Sequence, residues 1–197
     1  MALRPPIIAG IFVGGASSRM GGRPKGLLEL SPGVTLVGRW RALFDALAIP
    51  CVLVGAHPAY ADVGIPVLAD ARSPGQASPG PLGGVLALLE HAHARDGLAL
   101  AVACDMPFVS EALVRRLVDA PAAPVVAARR GRPWEPFFAR YDAAVVLPLA
   151  QAQAAAGRTS LQALLDTAGA RELPLSEAEA AELDDWDAPE DVGGASG

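Results

Sequence analysis

Aromatic side chains are scarce in this chain: Trp, Tyr and Phe make up 5% of its 197 residues, while apolar residues as a group make up 52%. Its core must therefore be built mainly from Ala, Val and Leu. A chain of this length buries enough of them to fold without a disulfide or metal staple. Cysteine is scarcer still. Cys51 and Cys104 each sit in an apolar, strand-like run with no partner at metal-ligand spacing, which excludes a disulfide framework and a zinc knuckle. Both read as buried, reduced thiols. There is no excess of positive charge, since the formal net charge is −5 and the pI about 5.2. Binding to nucleic acid or to a membrane surface through bulk charge is thereby excluded. No apolar run approaches the roughly 18 residues of a membrane span without Gly, Pro or a charge interrupting it. The first residues carry no small-residue cleavage pattern. These absences lead us to expect a cytoplasmic protein, with residues 1–192 as a single domain and "GGASG", 193–197, as a disordered tail.

What is present is an alternation of apolar strands and helical patterns. Ile7–Val13 reads as a buried strand, "PCVLVG" as the second and "IPVLAD" as a short third. Thr35 is placed to cap a helix running to about Ala48, with Leu36, Trp40, Leu43, Phe44 and Leu47 on one face. "GGVLALLEHAHA" is a helix and "LALAVACD" the next strand, after which Ser110 caps a helix through Val118. "APVVAA" and "PFFARY" follow as strands, "DAAVVLPLAQAQAA" and "SLQALLDTA" as helices, and Ser176 and Glu179 stand at capping-box spacing. The pattern predicts a three-layer α/β fold with a mostly parallel central sheet. Ligands of such sheets lie beyond the carboxyl ends of the strands, so the residues there are the ones to inspect.

The first strand leads directly into "GGASSRMGGRPKG", Gly14 to Gly26. The stretch matches neither the P-loop nor the dinucleotide-binding glycine pattern. Its cations Arg19, Arg23 and Lys25, its hydroxyls Ser17 and Ser18 and its glycine-freed amides could together cradle an anion. Composition alone leaves a solvated surface loop as the alternative. Two other strands end in acids, Asp70 in "VLAD" and Asp105 in "LAVACD". A carboxylate at the end of a wholly apolar strand calls for a cation, and a hard divalent ion bridging it to phosphates is how Mg²⁺ is usually held. A helix cap or turn role stays open for each, although Pro107 turns the chain so as to keep Asp105 at the rim. "SPGPLGG", Ser78 to Gly84, opens a helix whose N-terminus would suit an anion.

These stretches carry a resemblance. Gly14-Gly15-x-Ser17-x-Arg19-Met20-Gly21, followed by Lys25, resembles the signature of nucleotidyltransferases, and most closely of the molybdenum cofactor guanylyltransferase (MobA-like) family. "PGPLGG", "CDMPF", "EPFFARY" and "WDAPEDV" continue it, from Ile8 to Val192. The resemblance implies a Rossmann-like, nucleotide-diphospho-sugar-transferase-type fold. It also implies a Mg²⁺-dependent transfer of GMP from GTP to molybdenum-bound molybdopterin, with molybdoenzyme apoproteins as further partners. Carried onto this chain, Phe12, Val13, Gly14 and Gly15 lie along the nucleotide and Asp70 approaches its base or ribose. Arg19 and Lys25 meet the phosphates, and Asp105 holds Mg²⁺. The chain departs from the family in Phe12-Val13, where Leu-Ala is common, and in Gly55 and Asp185-Trp186-Asp187, where asparagines occur. A cytidylyltransferase of the same superfamily, or a non-catalytic protein that delivers cofactor, are the competing readings.

Weaker signals remain. His57, His91 and His93 read as surface residues. Arg129, Arg130 and Arg132 form a basic turn that either receives an acceptor phosphate or is solvated. Glu135 either orients a substrate or caps a strand. Trp134 and Trp186 either stack on a pterin or pack. Arg158, Thr159 and Ser160 open a helix, where a hydroxyl cap is the plainer role.

Overall fold

The computed structural model describes residues 5–13, 24–55, 57–69 and 80–186. Along the chain these form β1 (Ile7–Phe12), β2 (Glu29–Ser31), β3 (Val34–Thr35), α1 (Leu36–Ala46), β4 (Cys51–Val54), β5 (Val67–Leu68), α2 (Pro81–His93) and β6 (Leu98–Ala103). Then come α3 (Glu111–Asp119), β7 (Val125–Arg129), β8 (Trp134–Asp142), α4 (Ala143–Ala155), α5 (Leu161–Thr167), β9 (Arg171–Glu172) and α6 (Glu177–Ala181).

Seven strands form one sheet in the order β5-β4-β1-β6-β8-β7-β9. β5, β4, β1 and β6 run parallel, β8 runs antiparallel to both β6 and β7, and β9 joins β7 in parallel. The expected mostly parallel α/β sheet is thus present. The two-period of β1 divides the core between the faces of the sheet. Ile8 points to a cluster with Val85 and Leu89 of α2, Val146 of α4 and Leu164 of α5. Ala9 and Ile11 point to the opposite cluster, with Trp40 and Phe44 of α1 and Leu113, Val114 and Leu117 of α3. Trp40 and Phe44, one helical turn apart, stack with centroids 5.4 Å apart.

The expected caps are in place. Thr35 accepts from the Gly38 amide, Ser110 from Leu113 and Ser160 from Ala163, and Ser176 and Glu179 close a reciprocal capping box. α1 stops at Ala46, two residues short of expectation, and the chain then turns through Ala48, whose φ is +53°. The third strand is shorter than "IPVLAD" and ends at Leu68. Cys51 is only half-buried, contrary to the expectation of a core thiol, because it begins β4 at the rim of the sheet. Cys104 is buried, and burial pushes its thiol up to about 12.

One buried charge fixes α3 to the sheet. Arg140 of β8 is 4% exposed. Its Nη1 donates to the carbonyls of Leu117, Val118 and Ala120, and its Nη2 to that of Pro121. These are the carbonyls that the end of a helix leaves without amide partners, at the negative end of its dipole. Arg140→Met should therefore lower the unfolding free energy by about 3 kcal/mol, since it strands several acceptors at once. Urea denaturation reads this directly, and a loss under about 0.5 kcal/mol, the size of an ordinary surface substitution, would contradict it.

Candidate active site

Four parallel strands deliver their carboxyl ends to one edge of the sheet. β1 and β6 are in register from Ile7 opposite Leu98 to Phe12 opposite Ala103. Just past them, the Val13 amide donates to the Val54 carbonyl (3.0 Å) and the Cys104 amide to the Phe12 carbonyl (3.1 Å). β8 enters the sheet at the same edge, because Phe138 lies opposite Val102 while Asp142 lies opposite Leu98. Its first residues and the β7–β8 hairpin therefore overhang the edge.

Lys25 and Asp105 meet there. The Lys25 Nζ donates to the Asp105 Oδ2 at 2.8 Å, joining residues eighty positions apart. Lys25 is the only lysine in the chain. About a quarter of each side chain is exposed, so the pair is sheltered yet open to a ligand. Lys25 is held by its neighbour. The Gly26 amide donates to the Tyr60 hydroxyl (3.2 Å), and a Cβ at Gly26 would stand 2.6 Å from the Val37 Cγ2 and 2.9 Å from that hydroxyl. Only glycine lets the backbone lie so close against α1. Burial holds the Tyr60 phenol up at about 12, so its oxygen is a neutral acceptor.

Asp105 is fixed from the other side. Its carbonyl accepts from the Trp186 amide (2.8 Å), and Trp186 is buried. The two residues before Trp186 reach the hairpin: Arg130 pairs with Glu135 (2.7 Å), Asp184 (3.2 Å) and Asp185 (3.8 Å). These carboxylates raise the Arg130 pKa, the bond to Glu135 most of all. A strap from Arg130 to Asp105 thus runs along the edge. The spacing of Arg130 and Glu135 across a short hairpin is visible in the sequence, whereas nothing local signals Asp184, Asp185 or Tyr60.

Of the expected site residues, the structure brings Lys25 and Asp105 together and puts Phe12 and Val13 at the end of β1, beside the end of β6 from which Asp105 emerges. The Phe12 ring packs inward, 4.7 Å from that of Phe137 and against Gly84 of α2, where a Cβ would stand 2.9 Å from it. The Phe12 carbonyl and the Val13 amide are taken up by the sheet, so these two residues shape the floor of the site. α2 starts at the same edge with Pro81, after Gly80, which has no side chain to cap the first amides of the helix. Gly14, Gly15, Arg19 and Asp70, with Ser17, Ser18, Arg23 and Asp187, lie outside the described residues.

The other candidates resolve into structure. Arg129 lies 3.6 Å over the Trp134 ring and 3.9 Å from Glu172. The Trp134 indole donates to Asp166 (2.8 Å) while Gln162 holds its backbone, so Trp134 is a packed residue. His57 caps a short 3-10 turn, His93 is exposed, and His91 is half-buried with its pKa lowered by burial. Among the described residues, no three His, Cys, Asp or Glu side chains gather as a metal cluster. No helix there is long and apolar enough to cross a membrane.

A carboxylate and a lysine thus meet at the carboxyl edge of a parallel sheet, the edge at which α/β proteins of this kind bind their ligands. The chain belongs to the MobA-like NTP transferase family, whose model matches residues 9–172, and it is accordingly a nucleotidyltransferase. It is 39% identical to a molybdenum cofactor guanylyltransferase of Pseudomonas putida, over 82% of this chain and 84% of the relative. A Rhodobacter capsulatus protein of the same name is 40% identical over 64% of each chain. Among solved structures, the molybdopterin-guanine dinucleotide biosynthesis protein A of Archaeoglobus fulgidus superposes with a TM-score of 0.71 at 18% identity, over 94% of this chain and 95% of that one. The 2-C-methyl-D-erythritol 4-phosphate cytidylyltransferase of Thermus thermophilus gives 0.61 at 20%, over 97% and 96%. Both share the fold.

The single lysine makes the ion pair measurable. An amine-selective reagent meets only Lys25 and the chain terminus, which mass spectrometry separates. Asp105→Asn should speed Lys25 modification several-fold in the folded protein, since a carboxylate no longer engages the ammonium. An unchanged rate would mean that the pair does not persist in solution.

Proposed function

We propose that this nucleotidyltransferase moves GMP from GTP onto the terminal phosphate of molybdenum-bound molybdopterin. The observation that carries the proposal is the Lys25–Asp105 pair at the carboxyl edge, in a chain about 40% identical to proteins bearing that activity's name. A phosphate oxygen of the acceptor attacks the α-phosphorus of GTP. The bond to the bridging oxygen breaks, and pyrophosphate leaves with the electron pair. Both reactants are anions, so the protein's task is to align them and offset their charge, with no covalent nucleophile required.

In this reading Lys25 turns from Asp105 toward the leaving pyrophosphate, and Arg19 assists it. The amides of Gly14 and Gly15 line the nucleotide beside Phe12 and Val13, and Asp70 meets its base or ribose. The residues fit Mg²⁺. Asp105 offers a hard, partly exposed oxygen donor at the edge, and this ion is commonly held by one or two carboxylates plus substrate phosphates. Mg²⁺ bound there would neutralise phosphate charge and orient the oxygens of the α-phosphate. The strap from Arg130 to Trp186 keeps the backbone of Asp105 fixed while ligands come and go.

The discriminating experiment is a thermal shift against GTP, CTP and ATP, each with and without Mg²⁺. Selective stabilisation by GTP with Mg²⁺, lost in Asp105→Asn, is the expected result. Selective stabilisation by CTP would move the chain to cytidylyl transfer. Nucleotide binding without pyrophosphate release in the presence of acceptor would make it a delivery protein. Lys25→Ala should reduce kcat/KM for GTP by about a hundredfold, the scale of losing one preorganised charge partner. A loss under about threefold, less than the ~1 kcal/mol of an ordinary hydrogen bond, would remove Lys25 from the reaction.

A further inference from the structure

The chain has ten Trp, Tyr and Phe rings, all within the described residues, and nine are buried or half-buried. The tenth, Phe108, is 51% exposed. It lies three residues beyond Asp105, in the turn leading from β6 to α3. Three residues span at most about 11 Å, so the backbone of Phe108 stands within one substrate's length of that of Asp105. An exposed phenyl ring adds little to stability, because apolar area stabilises only when it leaves water.

The backbone carrying the ring is held firmly. Met106 is 2% exposed and Val109 is fully buried. The Asp105 carbonyl accepts from the Trp186 amide, the Val109 carbonyl from Arg39 Nη2, and the Ser110 amide donates to Glu182. α1 and the segment following α6 therefore both tether a five-residue turn whose one large side chain faces water. A rigid backbone that presents an apolar ring loses little freedom when a flat ligand docks on it.

We infer that Phe108 is a stacking platform for the flat heterocyclic ring of the acceptor. This rests on the two-substrate transfer proposed above, in which a pterin carries the phosphate that attacks. The side of the site decides between the two flat ligands. In the proposed function the nucleotide is assigned to Phe12 and Val13 at the exit of β1 and to Asp70, which follows β5 in the chain. Phe108 lies past β6, on the path to α3, and α3 is fixed over β8 through Arg140. The two tryptophans that the sequence offered for this task are unavailable, Trp134 being bonded to Asp166 and Trp186 buried beside Asp105. Aromatic stacking on a heterocycle is tolerant of which ring faces it, and its loss typically weakens binding about tenfold or more.

The test measures binding of 6-hydroxymethylpterin phosphate to the full-length protein by the anisotropy of the pterin's own fluorescence. Phe108→Ala should raise its Kd about tenfold, Phe108→Leu nearly as much, and Phe108→Trp should restore it. The GTP thermal shift should be the same in all four proteins. Three results would overturn the inference: no pterin binding by the parent protein, equal binding by Phe108→Ala, or a loss of GTP and pterin binding together. Failure of the guanylyl reading is seen separately, as absence of a GTP shift in the parent protein.

Discussion

The 2.8 Å contact between Lys25 and Asp105 is the constraint on which the rest of the site depends. It brings the segment following β1 against the end of β6, two strands that are neighbours in the sheet, and so closes a charged edge over an apolar floor. Leaving either charge alone at this half-sheltered edge would be costly, which is why each needs the other or a ligand. A pair of this kind is well suited to exchange, because incoming phosphates and a divalent ion satisfy the two groups separately.

The surroundings of the pair are arranged to hold it. Gly26 exists for the close approach of backbone to Val37 and Tyr60, which sets where Lys25 emerges from the chain. Trp186 fixes the backbone of Asp105, and the residues before it anchor to Arg130. On the opposite side of the sheet, Gly84 lets α2 settle against Phe12 and brings the helix N-terminus to the same edge. Two ends of the chain and both helical layers thus converge on one carboxylate.

Much of this was legible in the sequence where the signal was local. Apolar strands ending in an acid pointed to Asp105, and Thr35, Ser110, Ser160 and the Ser176–Glu179 box announced helix starts that the structure places there. The strand β9 and the β2–β3 hairpin in "ELSPGVT" escaped, because two or three residues carry no readable period. Long-range partnerships escaped as well. Nothing near Arg130 signals Asp184 and Asp185, more than fifty residues away, and nothing near Arg140 signals that it closes α3. Trp134 and Trp186 looked like stacking candidates because exposure is a property of the packed chain. Packing left Phe108 in that position instead.

The most direct test of the account is pyrophosphate release from GTP in the presence of Mg²⁺ and molybdenum-loaded molybdopterin, comparing the parent protein with Asp105→Asn. The account predicts one pyrophosphate for each GMP transferred, and a loss of about a hundredfold or more in the variant, with circular dichroism unchanged. A folded Asp105→Asn protein that turns over at the parent rate would show that the paired carboxylate is not at the reacting centre.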